Sequence, residues 1–185
     1  MKLPIVRYGD PVLRAKGRRV ETVDDGIREL ATNMLETMHE ANGVGLAAQQ
    51  VGEALQLTVV DVASAEDQES TMTLNGVEVE PKTSMPLVLL NPELALGDET
   101  AIGAEGCLSF PEITGDIPRA ISVKLRAQSL EGERLEIEAS GLLARALQHE
   151  VDHLNGILFI DRMSAATKVA LRSRLKKMQR ENAAR

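Results

Sequence analysis

The stretch Gln148-His149-Glu150-Val151-Asp152-His153-Leu154-Asn155-Gly156 constrains this chain more than any other. His149 and His153 are spaced so that a helix sets both imidazoles on one face, one turn apart. Ser140 is placed to cap that helix, Gly156 suits the left-handed residue after its last turn, and no proline intervenes. At about 100° per residue, Leu143, Leu147, Val151 and Leu154 form one apolar stripe. Leu142, Ala146, His149 and His153 form a second, with Glu150 between the two. Only Arg145, Gln148 and Asp152 are left for water, so the helix is expected to be mostly buried. Two histidines and a glutamate on its inner side are costly to desolvate unless something binds them. The pattern is HExxH, in which the imidazoles ligate a divalent metal and Glu150 is a general base toward water. The competing reading is two core histidines satisfied by hydrogen bonds beside an incidental glutamate.

Two histidines do not close a site, and the third ligand decides the chemistry. The HExxHxxGxxH extension is matched through Gly156, but its third histidine falls on Phe159, which cannot ligate. A glutamate on a following helix is no better, because downstream of Asp161 the only acid is Glu181, among lysines and arginines. Cys107 remains, in Glu105-Gly106-Cys107-Leu108-Ser109. A lone cysteine is most often a small buried hydrophobe. As a thiolate it is a soft ligand for a borderline metal, and with the two histidines it leaves one tetrahedral position open, as catalytic centres do.

Along the chain, residues 1–20 read as an irregular arm broken by Pro4 and Pro11. Asp24 caps a helix in which Ile27, Leu30, Ala31, Met34, Met38 and Ala41 recur at helical spacing. His39 lies off that stripe near the helix end, as a solvated imidazole. The segment Gly43-Val44-Gly45-Leu46-Ala47-Ala48 fits GxGxxA, but it follows a helix rather than a strand, so no nucleotide cofactor is expected. Its glycines suit close backbone approach to a ligand. Gln49 and Gln50 are either donors to a polarised carbonyl or simply solvated. Leu55–Val62 reads as a strand. Residues 63–85 read as an excursion at a sheet edge, with Asn75-Gly76 turning a hairpin within 71–79. Pro86–Leu90 is a short strand halted by Asn91-Pro92, and 121–125 with 134–138 form a hairpin that delivers the chain to the HExxH helix.

Composition narrows the function classes. A single cysteine excludes an internal disulfide and suits a reducing compartment. Tyr8, Phe110 and Phe159 are the only aromatics, so the core must be aliphatic and base stacking is not a mode of binding here. The N-terminus lacks the apolar run of a signal peptide, no stretch approaches membrane-spanning length, and a cytoplasmic protein of one domain (1–185) is expected. The net charge of −7 is unevenly spread. Residues 162–185 hold eight Lys/Arg and one Glu, a local +7, while the other 161 residues carry a net −14. Ser164 can cap a helix there, with Leu171, Leu175 and Met178 on one face and Arg172, Lys176, Lys177 and Arg180 opposite.

Gly43-Val44-Gly45-Leu46-Ala47-Ala48-Gln49-Gln50, Glu105-Gly106-Cys107-Leu108-Ser109 and Gln148-His149-Glu150-Val151-Asp152-His153 together resemble, in order, the three signature motifs of peptide deformylases. The resemblance covers essentially the whole chain, although residues 63–85 look longer than in short members and Phe110 stands where a smaller aliphatic is common. It implies an α+β fold of mixed and antiparallel sheets around the HExxH helix, with an N-terminal and a C-terminal helix. It implies hydrolysis of N-formylmethionyl nascent peptides to formate and a free amine, with Cys107, His149 and His153 as metal ligands and Glu150 as the base. It also places the Gln50 side chain and the Leu108 backbone N–H around the oxyanion, and Gly45 against the peptide backbone. Val44 and Leu142 become walls of the methionine pocket, and Glu105 paired with Arg119 stands behind the metal. The implied metal is Fe2+, with Zn2+, Ni2+ or Co2+ able to take the same ligands. The implied partner is the ribosome, reached through ribosomal RNA by the basic C-terminal helix. No membrane partner is expected. Two rivals stand beside this: a broad metallopeptidase, which needs a third His or Glu ligand, and a non-catalytic metal-stabilised module, which needs four protein ligands.

Overall fold

The Asp24 carboxylate accepts the Ile27 N–H at 2.9 Å and opens α1 (Asp25–Glu40), whose buried Ala31, Met34 and Met38 recur at helical spacing. The structure, a computed structural model, describes residues 1–65 and 68–183, so residues 66–67 of the expected excursion and Arg185 of the basic tail lie outside the described residues. Downstream of α1 come β1 (Gly45–Ala47), a 3-10 turn (Ala48–Val51) and β2 (Leu57–Val60), shorter than the expected 55–62. The hairpin of β3 (Ser70–Leu74) and β4 (Val77–Val79) turns on Asn75 and Gly76, both at positive φ (51° and 82°), as a two-residue hairpin turn requires.

β5 (Leu87–Leu96) corrects one expectation: the strand does not halt at Asn91-Pro92. It passes through a bulge there, where the register against β8 (Ser122–Gln128) shifts between Leu90 and Glu93 and Asn91 sits at φ 51°. The Asn91 side chain uses the kink to bond the backbone N–H and C=O of Val20. β9 (Arg134–Ser140) follows, and the sheet order is β1-β2-β5-β8-β9-β3-β4, with β1 and β4 as its edges and its strand pairings all antiparallel.

Residues 100–120, assigned no strand from the sequence, hold β6 (Thr100–Cys107) and β7 (Phe110–Ala120). They form a long antiparallel hairpin that is a sheet of its own, with Cys107 at its closed end.

α2 (Gly141–Leu154) lies against the inner face of the larger sheet, where Leu143, Ala146 and Leu147 meet Val60, Leu89, Val123, Leu125 and Ile137. Its first turn is capped differently from expectation. The Leu143 N–H donates to Ser70 Oγ of β3 at 3.0 Å, while the Ser140 hydroxyl pairs with Thr71 Oγ1. Gly156 takes the left-handed conformation past the end, at φ 73°. α1 packs Met34 and Met38 on Leu46, Leu57, Val59 and Leu90. A third apolar cluster gathers Leu13, Ile113, Ile117, Leu158, Phe159 and Met163, and α3 (Ala165–Ala183) leans Leu171, Leu175 and Met178 on it. All three aromatics meet there: Tyr8 stacks on Phe110 at 4.6 Å, and Phe110 meets Phe159 edge-on at 5.1 Å. Among the described residues, no helix is long and apolar enough to cross a membrane.

Candidate metal centre

α2 and the β6–β7 hairpin converge on one cluster. Cys107 Sγ lies 3.3 Å from His153 Nε2, which is 3.2 Å from His149 Nε2, and the three donor atoms all fall within 4.8 Å of one another. Cys107 and His149 line a cavity of about 480 Å³, with Val44, Gly45, Gln50, Leu108, Leu142 and Glu150 also on its wall, and His153 lies buried behind them. Cavities of similar volume open on the outer face of the sheet among strand residues such as Thr71, Lys124 and Glu138. Volume therefore does not single out the site; its chemistry does. No described residue of 68–85 lines it, so the edge excursion stands away from the groove.

The electrostatics favour a cation. The His149 Nδ1–H donates to Glu105 Oε2 at 2.9 Å, which turns Nε2 toward the cluster. Burial alone would lower the His149 pKa, but hydrogen bonds to Cys107 and Glu105 and the charge of Glu150 outweigh it and lift the value to about 10. His153 is driven the other way, well below the ordinary value, by burial and by the charge of His149, so it stays a neutral imidazole. Its Nδ1 is buried without a partner among the described residues. The cluster thus calls for one positive charge, which a proton on His149 or a cation in its place supplies. A thiolate and two imidazoles are a donor set that a borderline divalent ion satisfies.

Glu150 is 3% exposed, and desolvation lifts its carboxyl to about 7 against the pull of His149 and Thr58. That is the range in which a carboxylate exchanges protons at neutral pH. Gly45 makes room for it, since a Cβ at that position would collide with the Glu150 carboxylate. β1 contributes Gly45 from the edge of the sheet, paired on one side only.

Gln50 is buried rather than solvated. Its Oε1 accepts the Ala47 N–H at 2.9 Å, which aims Nε2 at Cys107 Sγ (3.5 Å) and Ser109 Oγ (3.3 Å). Gln49 is buried too, with Nε2 on the carbonyls of Ala15 and Leu154. Leu108 occupies the turn between β6 and β7, where its side chain abuts Gly43. His39 stands outside the cluster, exposed and paired with Asp61 at 2.8 Å.

The residues assigned to water are the main surprise. Gln148 is 4% exposed and Asp152 8%. The Gln148 amide bonds both the N–H and the C=O of Ala120, at 3.0 and 2.9 Å. Asp152 accepts from Arg119 and, through two bonds, from Arg162. Arg119 also donates twice to Glu105, at 2.8 and 3.0 Å, and Arg145 donates to Glu105 Oε1 at 3.0 Å. Glu105 is held ionised at about 2 because hydrogen bonds to Arg119 and His149 overcome its burial. Arg145, Gln148, His149 and Asp152 recur at i, i+3, i+4, i+7: a polar stripe as coherent as the apolar ones. That regularity, shared with a candidate ligand, was the available signal that the stripe faces a partner.

The polypeptide deformylase family model matches residues 2–169. The chain belongs to that family. Peptide deformylase from Opitutus terrae is 48% identical over 173 residues, 92% of this chain and 90% of the relative, and that from Methylacidiphilum infernorum is 45% identical over 183 residues, 99% and 96%. Among solved structures, the Thermus thermophilus peptide deformylase superposes with a TM-score of 0.83 at 39% identity, covering 98% of this chain and 99% of that one. The Thermotoga maritima enzyme gives 0.76 at 39% identity, over 89% and 99%. The deformylase match takes in every residue of the cluster and ends inside α3, short of Arg172.

Proposed function

We infer that this chain, acting as one catalytic domain, removes the formyl group from N-formylmethionyl peptides, releasing formate and a free α-amine. The observation that carries this is the convergence of Cys107, His149 and His153 on a cavity that also holds a carboxylate near neutrality, Glu150, in a chain of the deformylase family. Cys107, His149 and His153 would hold a divalent ion, which supplies Lewis-acid polarisation of the formyl carbonyl and of the attacking water. Glu150 accepts a proton from that water and returns it to the departing amine, so the C–N bond breaks to a neutral amine and formic acid, which leaves as formate once its remaining proton passes to solvent. The Gln50 Nε2–H and Leu108 N–H donate to the oxyanion; removing one such donor typically costs about 2.7–4 kcal/mol of barrier. Gly45 on the sheet edge offers backbone groups to an extended peptide. Val44 and Leu142 give the methionine side chain an apolar wall.

We propose iron(II) as the working metal, with zinc, nickel or cobalt able to replace it on these ligands. Iron beside a thiolate makes the protein oxygen-sensitive, and purification without oxygen followed by metal analysis identifies the ion. Formate release from formyl-Met-Ala but not acetate from acetyl-Met-Ala is the expected result. Cleavage of internal peptide bonds, or no turnover in the metal-loaded protein, overturns the assignment.

The proposed partner in the cytoplasm is the ribosome, through the basic arc of α3. Arg172, Lys176, Lys177 and Arg180 are exposed, and segregated positive charge on an acidic protein favours a polyanion. Co-sedimentation with ribosomes should fall steeply with salt and vanish when the arc is neutralised, with activity on short formyl peptides retained. Parent-like binding of the neutral variant at about 0.1 M salt sinks the idea. Truncation after Asp161, the obvious alternative, is unsuitable because Arg162 bonds Asp152 and Met163 is buried against Gly115; a cut after Ser164 spares both.

A further inference from the structure

The hairpin that carries Cys107 is hydrogen-bonded as a sheet only to itself. The position of its thiol relative to the two imidazoles therefore depends on what ties the hairpin to α2. Gln148 to Ala120, Asp152 to Arg119 and His149 to Glu105 are such ties, and Arg145 adds one that spans both strands. Its Nη1 donates to the Ile117 carbonyl of β7 at 2.9 Å and to Glu105 Oε1 of β6 at 3.0 Å, and Nη2 donates to the Ala101 carbonyl of β6 at 3.0 Å. The seat is shaped for it. A Cβ on Gly103, the β6 residue paired with Ile117, would lie 2.9 Å from Arg145 Nη2, so glycine lets the guanidinium lie against the strand. Arg145 is one helical turn before His149 and two before His153.

We propose that Arg145 is a positioning residue for the metal centre: from the helix bearing both histidines it grips the two strands of the hairpin and fixes Cys107 against them. This rests on Cys107, His149 and His153 being the metal ligands. Arg145 also borders the cavity, so selection of substrate is the competing role. Three of its five N–H groups are committed to the hairpin, and a rigid fork can hold three acceptors at fixed separation where a single ammonium cannot.

The test uses the full chain loaded with Co2+, following the thiolate-to-cobalt absorption and the rate at which a chelator removes the ion. Arg145→Met keeps the aliphatic stem and removes the fork. It should release cobalt about 10–100-fold faster than the parent and weaken the thiolate band. Arg145→Lys should fall between the two, and the KM for a short formyl peptide should stay within about twofold in both. Parent-like release and spectrum in a folded Arg145→Met overturn the proposal, as does a raised KM with parent-like release, which would make Arg145 a substrate contact. If Arg145→Met does not fold, Arg145→Lys decides alone by the same criterion. A parent that binds cobalt without a thiolate band overturns the ligand assignment itself, whereas a parent with the band and variants without an effect overturn only the role of Arg145.

Discussion

α2 and α3 are built from similar stock, leucines on one side and arginine, lysine or glutamine on the other, yet their polar residues meet opposite ends. On α2 nine of fourteen residues are buried, and its outward stripe is locked into Glu105, Arg119, Arg162 and the carbonyls of the β6–β7 hairpin. On α3 no described residue is buried, and its side-chain bonds are peripheral: Arg174 to the Glu112 carbonyl, Lys168 to that of Asp161, Gln179 to the Tyr8 hydroxyl. Helical periodicity specifies which residues share a face. What that face meets is decided by another part of the chain, and here it is a hairpin with its own unpaired acceptors.

The contrast can be broken most severely at the chemistry. Glu150→Gln keeps the ligands and the shape, so metal content should match the parent while turnover falls by about 10²–10⁴-fold, the usual worth of a general base. Activity close to the parent's would remove Glu150 from that role. Stability should separate the helices next. Arg119→Leu removes the buried guanidinium that Glu105 and Asp152 share, leaving Glu105 to Arg145 and His149 and Asp152 to Arg162, and should cost about 3–5 kcal/mol in denaturant unfolding. The same change at exposed Arg172 of α3 should stay within about 0.5 kcal/mol. Equal effects would erase the distinction. A neutral pair repeats it on a smaller scale. Gln148→Leu leaves the buried backbone groups of Ala120 without partners and should cost about 1–3 kcal/mol, while Gln179→Leu loses only one exposed hydrogen bond.

The same contrast explains what the sequence made legible. α1, α2 and α3, the Asn75-Gly76 hairpin and the β8–β9 hairpin announce themselves through local period or turn chemistry. Cys107, His149, Glu150 and His153 stand out because their spacing and scarcity leave few other uses. β6 and β7 were hidden by Gly103, Gly106, Gly115, Pro111 and Pro118, residues that punctuate loops. These strands pair with each other, and the glycines at two of these positions have long-range reasons: Gly103 seats Arg145, and a Cβ at Gly115 would strike Met163. Asn91-Pro92 misled for a related cause, since a stop signal within a strand can equally mark a bulge held by a distant backbone, here that of Val20. The engagement of Arg145, Gln148 and Asp152 with other elements was illegible because the partners that hold them outside α2 lie between 10 and 44 residues away.

The finest expected difference concerns how an acid on each helix is held. Glu181 of α3 stands in solvent with Lys177 3.7 Å away. Glu150 of α2 is enclosed, and Thr58 is among the groups that lower its pKa. The Thr58 hydroxyl has one proton, and Leu46 O takes it at 2.9 Å while Glu150 Oε2 lies at 3.5 Å, so the carboxylate receives only a minor share. Glu150 must be ionised to accept a proton, so kcat/KM should fall as pH drops through its pKa, which a bound cation draws below about 7. Thr58→Val removes a group that favours the ionised form. It should therefore move the acid limb to higher pH, lowering activity only on the acid side and leaving the plateau and the metal content alone. A limb that stays put, or moves to lower pH, would show that the hydroxyl serves Leu46 alone and that burial sets the Glu150 carboxyl without it.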